Sequence, residues 1–372
     1  MGFTYTDQAA IVPLLRGELG LTESQVGLFP SALFATAVLT MIVMGGAADR
    51  AGAKRVTALG FAGATLGHAL FALAPSYETL LASKAIAGIG NGAAFVSGVR
   101  YIGGAYGGDR SHLGQALFGA GYPLGSALGL ALMPPLAVAF GGWRGAFLAS
   151  TALIAIVLVA FALFAPAVPK IPTRASIAVA LANANARWCF VAHAAGFGLS
   201  LATGTWAAVF VLHEFGVSIV AAGVLGSFLL LMGPPMRVLG GYLVASERLS
   251  TIATMRASQL SNLAGLVLIA LPGRPLPVAL AGFALLGIGV SLPYAAVFNT
   301  AAASLPSAPG AAQSLTAAGG TLGAVLGAPL MGLVAERIGF AEAWLAIAAI
   351  PLLALIGTFV MRGEESLTAP AS

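Results

Sequence analysis

The sequence predicts an all-α membrane protein of twelve spans arranged as two related halves, on three observations. The chain is 59% hydrophobic and only 8% charged, with a mean hydropathy of +0.97, whereas soluble domains carry roughly 25% charged residues. Apolar runs near or above about 18 residues recur along its length, each long enough as a helix to cross a hydrocarbon core roughly 30 Å thick. Stretches of the first half can also be laid on the second at a nearly constant offset. Helices follow because every backbone N–H and C=O in lipid must be paired internally, and the roughly ten-residue alternation of barrel strands is missing.

Breaking the chain at glycine, proline and charge places the spans at 1–16, 25–48, 56–74, 78–105, 113–139, 145–165, 187–212, 219–245, 251–271, 275–303, 310–335 and 341–361. The stretch 166–186, "PAVPKIPTRASIAVALANANA", falls at mid-chain and is expected to be a cytoplasmic linker between bundles 1–165 and 187–372. With both termini cytoplasmic, eleven basic residues fall inside against four outside (Arg16, Arg144, Arg274 and Arg337), leaving Lys84 and Arg237 within the membrane. This positive-inside bias sets the expected orientation, in the plasma (inner) membrane. The opening "MGFTYTDQAA" lacks a basic n-region and a cleavage site, so the first helix is expected to act as the insertion signal. The net charge of +5 is spread singly over run ends, which reads as topology rather than as a nucleic-acid surface. Cys189 is the only cysteine, so neither an internal disulfide nor a metal cluster is implied. No cofactor is expected.

"ELGLTESQVG" at 18–27 overlays "EFGVSIVAAG" at 214–223 with an offset of 196 residues. "GIGNG" at 88–92 meets "GIGVS" at 287–291, and "LFGAGYPLGSALG" at 117–129 meets "LTAAGGTLGAVLG" at 315–327, at offsets of 199 and 198. Two parallel six-helix halves are a plan of secondary transporters, with a site at the repeat interface. The offset also sets the partner of Arg187 about nine residues before Met1, so a longer first helix is expected upstream, or a stunted one here. Gly121, Gly125 and Gly129, with Gly319, Gly323 and Gly327, repeat every four residues and are expected to pack helices closely.

The charged stretch "GGAADRAGAKR" at 45–55 resembles the loop 2–3 signature of the major facilitator superfamily, G-x-x-x-D-[RK]-x-G-x-[RK]-[RK], at Gly45, Asp49, Arg50, Gly52, Lys54 and Arg55. With the duplicated halves and "GGWRGAF" at 141–147, the similarity covers the chain and implies the major facilitator fold. It also implies that these six residues form a cytoplasmic gate, latched when the protein faces outward. The residues themselves allow this: two glycines permit a tight turn, and Asp49 ends a helix beside basic groups. The alternative is that Arg50, Lys54 and Arg55 only fix orientation. In the second half Ala245 stands at the place of Asp49, so a latch would be one-sided.

Ionisable groups within the membrane cost about 2.5–3.5 kcal/mol even on lenient scales and are functional candidates. Asp7 and Lys84 lie at similar depths, and "KAIAGIGNGAA" resembles the family's fourth-span R-x-x-x-G-x-G motif with Lys for Arg. Together they form a candidate proton-coupling pair, with His193 a further candidate. The alternatives are a surface position for Asp7, an outward-snorkelling Lys84, and for His193 and His68 a hydrogen bond to a neighbouring helix. Arg237, in "GPPMRVLGGYL", suits a carboxylate through its planar fork, the alternative being a structural pairing with backbone carbonyls. The stretch is similar to the eighth-span motif of the nitrate/nitrite porter branch, where that arginine binds the anion. Met41 at its symmetry position and Tyr122 at that branch's asparagine depart from the pattern. Tyr122, Tyr294, Asn299 and Trp206 are candidates to line the substrate cavity beside Arg237, or simply to pack.

The expected function is a secondary active carrier working by alternating access on a small solute, a monovalent organic anion moved with protons. The protein is expected to act as a monomer in the bilayer. The fifth-span antiporter signature G-P-x-x-G-G is not reproduced at "GYPLGSALG", which disfavours the alternative of a proton-driven drug or metabolite exporter. A non-transporting sensor is the other alternative. An enzyme is not expected, since no nucleophile–base set or phosphate loop is present.

Overall fold

The computed structural model describes residues 1–44, 51–106, 111–168 and 177–368. Twelve helical runs stand among the described residues in the expected order, besides two short helices, Ile177–Leu181 and Glu364–Thr368. Helix α1 is broken into Phe3–Thr6, a 3-10 turn Ala9–Ile11, and Val12–Leu19. It is followed by α2 (Glu23–Met44), α3 (Ala53–Leu73), α4 (Tyr77–Tyr106), α5 (Ser111–Ala139) and α6 (Trp143–Phe164). After a short helix at Ile177–Leu181 come α7 (Ala184–Phe215), α8 (Ile219–Ala245), α9 (Thr251–Ala270), α10 (Leu276–Ser304), α11 (Pro309–Arg337) and α12 (Phe340–Gly357). Ten of the twelve are long and apolar enough to cross a membrane; the exceptions are broken α1 and α9, which carries a buried polar row from Thr251 to Asn262.

Local chemistry sets the helix starts. Thr22 and Gln25 exchange bonds across the first turn of α2, with Gln25 N–H donating to Thr22 Oγ1 at 3.2 Å and Thr22 N–H to Gln25 Oε1 at 2.9 Å. Asn183 accepts from the Ala186 N–H at 3.0 Å, so α7 begins three residues before the expected 187. Ser250 caps α9 through the Ala253 N–H at 3.1 Å. Gly52, at φ +92°, turns the chain into α3 in a conformation that L side chains rarely adopt.

Several spans expected to be continuous are interrupted, mostly beside proline. Pro13 lies just inside the third piece of α1, Pro234 and Pro235 open the second piece of α8 after Met232, and Pro293 separates Leu276–Ser291 from Tyr294–Ser304 in α10. Proline lacks an N–H and crowds the preceding turn, which explains these breaks. Helix α7 instead carries a π-helical turn at Ala194–Gly198. Yet α5 holds Pro123, Pro134 and Pro135 without interruption.

Contacts divide the chain into unit 1, Met1–Thr173 with Ala207–Ser227, and unit 2, Arg174–Trp206 with Phe228–Ser372. Each unit repeats one packing device. In unit 1, Gly125 and Gly129 of α5 sit on α1, where an added Cβ would stand 2.9 Å from Phe3 N and 2.8 Å from Phe3 O. In unit 2, Gly319, Gly323 and Gly327 of α11 sit on α7, against Phe190, Gly198 and Ala202. Gly121, expected to join the first ridge, faces open space. Outward faces are apolar: Ile156 and Val157 of α6 are 65% and 63% exposed. A soluble protein would bury such a stripe, whereas a lipid-facing helix needs it.

Candidate functional site

In unit 1 the break in α1 sets Asp7 between α3 and α4. Its Oδ1 accepts from Lys84 Nζ of α4 and, at 2.7 Å, from the Gln8 N–H. Its Oδ2 lies 2.9 Å from His68 Nδ1 of α3, an ion-pair distance that is off the line of an ideal hydrogen bond. His68 Nε2 meets Ser150 Oγ of α6 at 2.7 Å. Lys84 Nζ also donates to the Thr4 carbonyl at 3.3 Å, so the broken helix offers backbone groups to the charges. Asn91, two turns beyond Lys84 on the same helix, donates to Thr4 Oγ1 at 3.0 Å. The ammonium lies 5.1 Å and 5.9 Å from the ring centres of Phe71 and Phe147.

Asp7, His68 and Lys84 are 0%, 2% and 3% exposed. The surface alternative for Asp7 and the snorkelling alternative for Lys84 are therefore both excluded. Two opposite charges in a dry interior persist only with good geometry and extra hydrogen bonds, and here the Gln8 N–H and the Thr4 carbonyl supply them. His68, which the sequence places merely beside a neighbouring helix, does bond Ser150 on α6 and reaches the carboxylate as well. The signal was available in outline, since a histidine at membrane depth calls for a partner.

In unit 2 the cation is Arg237 of α8. Its Cζ lies 4.3 Å from the ring centre of Tyr294, the first residue of α10 after the Pro293 break. Tyr294 packs on Phe298 with ring centres 4.9 Å apart, and Phe298 meets the ring of His193 at 5.0 Å. His193 Nδ1 lies 3.0 Å from the Thr316 carbonyl of α11; a carbonyl only accepts, so Nδ1 carries the hydrogen. The structure thus brings Arg237, Tyr294 and His193 into one aromatic-lined centre.

The other expected site residues lie elsewhere. Tyr122 belongs to an aromatic cluster in unit 1, stacked on Tyr5 with centres 5.8 Å apart and beside Phe95 at 5.5 Å. Trp206 is 1% exposed, and its Nε1–H donates to the Ala328 carbonyl at 3.0 Å, which fastens α7 to α11. Asn299 is exposed on α10, on a face away from buried Val297 and Thr300. Of the gate residues, Gly45, Asp49 and Arg50 lie outside the described residues. Lys54 and Arg55 stand in the first turn of α3, where the helix dipole disfavours cations. A cleft of about 350 Å³ opens there, lined by Gly52, Lys54, Arg55, Ala58, Ala162 and Val168, and shares no lining residue with either charged centre.

The chain is similar to known proteins in sequence and in fold. A family model described as Major Facilitator Superfamily matches residues 1–307. The Fosmidomycin resistance protein of Escherichia coli (strain K12) is 31% identical over 151 residues, 41% of this chain. That match spans only 37% of the relative's own length. Among solved structures, a bacterial homolog to human lysosomal transporter Spinster superposes with a TM-score of 0.81 at 16% identity, over 96% of this chain and 93% of that one. A D-xylose-proton symporter gives 0.78 at 16% identity over 99% and 97%, and the nucleoside transporter NupG 0.77 at 14% over 97% of each chain. At such identities the likeness is one of fold, and none of these relatives bears on the nitrate/nitrite branch. The matched family model, the membrane-length helices and the full-length structural likeness together mean that the chain belongs to the major facilitator superfamily, as a multi-pass membrane transporter and not an enzyme.

Proposed function

We propose that the protein is a proton-coupled carrier of a small monovalent organic anion, working by alternating access as a monomer in the plasma (inner) membrane with both termini cytoplasmic. Asp7 and Lys84 are the coupling pair, and Arg237 holds the anion against Tyr294. His193, in the same centre as Arg237, is the second coupling candidate. The observation that carries the reading is the fully buried contact of Asp7 with Lys84 and His68, because ionisable groups kept at such cost inside a membrane are retained for work. One guanidinium holds one carboxylate through a bidentate pair, which favours monoanions over dianions. A second reading, a proton-driven exporter, draws on the likeness to the Fosmidomycin resistance protein.

The test is transport in liposomes containing the purified protein, with a pH gradient imposed and mono- and dicarboxylates offered. Under the first reading an acid exterior drives monocarboxylate accumulation, and Asp7→Asn abolishes it. Proton-driven extrusion would favour the exporter. Wild-type accumulation in Asp7→Asn, or preference for a neutral or cationic solute, would overturn the coupling or the anion assignment respectively.

A further inference from the structure

We propose that Ser150, His68 and Asp7 form a proton relay, in which a proton added at His68 Nε2 releases another from Nδ1 to Asp7 Oδ2 and so detaches Lys84 from its counter-ion; this rests on the proton-coupled reading above. The geometry that carries it lies at Ser150. Its hydroxyl has one hydrogen and two partners within reach, His68 Nε2 at 2.7 Å and the Phe147 carbonyl at 3.1 Å. A neutral imidazole likewise has one donor and one acceptor nitrogen. While Asp7 is ionised, the hydrogen belongs on Nδ1, facing the carboxylate 2.9 Å away. Nε2 then accepts the Ser150 hydroxyl.

A hydronium ion gives its proton to Nε2 and leaves as water, and the relay follows without large movement. The Ser150 hydroxyl turns to the Phe147 carbonyl, freeing its oxygen to accept the new Nε2–H. A small turn of the Asp7 carboxyl lines up Oδ2, the Nδ1–H bond breaks, and an O–H bond forms on Asp7. One proton has entered, the ring ends neutral with its hydrogen on Nε2, and the cluster has gained one positive charge. That charge resides on Lys84, left with the Thr4 carbonyl and the faces of Phe71 and Phe147. A buried cation without its counter-ion is unstable, so the protonated state favours hydration or rearrangement of the site. Departure of the proton by the reverse steps restores the pair. The charged side chains that act on the ring are Asp7 and Lys84.

The relay is tested without knowing the solute, by time-resolved infrared spectroscopy of the purified full chain after a jump to acid. The wild type is expected to develop a carboxylic-acid band that Asp7→Asn lacks. His68→Asn keeps an N–H to hold the carboxylate but cannot pass a proton on, and should slow the rise of that band by about 100-fold. Ser150→Ala should slow it by a smaller factor, while Ser150→Thr, which keeps the hydroxyl, should restore the wild-type rate. If His68→Asn does not fold, His68→Gln is measured in its place. Wild-type rates in the His68 and Ser150→Ala variants would overturn the relay and leave proton coupling standing. Absence of the Asp7 band in the wild type at every pH would overturn both.

Discussion

In unit 1 the buried cation Lys84 faces a carboxylate, whereas in unit 2 the cation Arg237 lies on the ring of Tyr294. The repeat makes the difference informative. At the offset of 196 Asp7 corresponds to Thr203, and at the offset of 199 Lys84 corresponds to Phe283 and Asn91 to Val290. Thr203 spends its hydroxyl on the Leu199 carbonyl one turn back, at 2.7 Å, and Phe283 is fully buried. The second half thus fills with apolar packing the places where the first holds an ion pair. Conversely Met41 stands where Arg237 does. Duplication supplied one scaffold twice, and a few substitutions gave one copy an internally balanced charge pair and the other a guanidinium on an aromatic wall. The first arrangement suits exchange of a proton; the second suits an oxyanion with its own charge.

The sharpest way to break this comparison is to remove one partner of the balanced pair. Lys84→Met should destabilise the protein by about 3–5 kcal/mol, because a buried carboxylate loses its cation. Thermal unfolding in detergent reads this, and adding Asp7→Asn should recover most of the loss. If Lys84→Met alone unfolds like wild type, the pair is not the closed unit described. Next comes the arginine: Arg237→Ala should abolish monocarboxylate binding, and Arg237→Lys should weaken it about tenfold or more, because the fork is lost while the charge remains. Tyr294→Leu should cost about 0.5–2 kcal/mol of the cation–π contact, read as a smaller loss of affinity in the same binding assay.

His193 sharpens the division of labour between the units. His193→Phe removes the bond to the Thr316 carbonyl and should cost about 0.5–1.5 kcal/mol in unfolding free energy. Loss of coupling in that variant, with coupling kept in Asp7→Asn, would move the proton site to unit 2. The smallest effect concerns the surface of unit 1. Glu18 accepts from Arg144 and, at 2.7 Å, from Trp143 Nε1, and these bonds hold its carboxyl below the usual range. A lowered value means that its stabilisation is present above the unfolded value and is lost as pH falls through the folded one. Glu18→Gln should therefore melt slightly below wild type at neutral pH, with the gap closing below about pH 4. A gap independent of pH would show that the contact works through shape alone.

How far the site was legible follows from which residues depend on local sequence. Asp7, Lys84 and Arg237 stand out in any reading, because a charge inside an apolar run is improbable without a role. His68 did not stand out, since a lone membrane histidine commonly bonds its neighbour; only the fold shows that its second nitrogen reaches Asp7. Trp206 was plausible for a cavity because tryptophan suits both roles, and its burial against Ala328 depends on how α7 meets α11. Pro293 did not read as a break, because the apolar run 275–303 continues through it, and only the fold shows that the break starts a helix with Tyr294 against Arg237.

The sequence by itself determined the order of the twelve helical runs, the internal repeat, the positive-inside bias and where the lone charges fall along the runs. Each of these follows from composition and spacing along the chain, where the thickness of the bilayer and the cost of unpaired backbone leave few choices. Tertiary structure alone decided which side chains meet. Asp7 touches His68 and Lys84 across 61 and 77 residues of sequence, and Arg237 touches Tyr294 across two separate helix breaks. Such meetings are set by rotation and close approach of whole helices, through glycine ridges such as Gly125 and Gly129, and no local pattern encodes them.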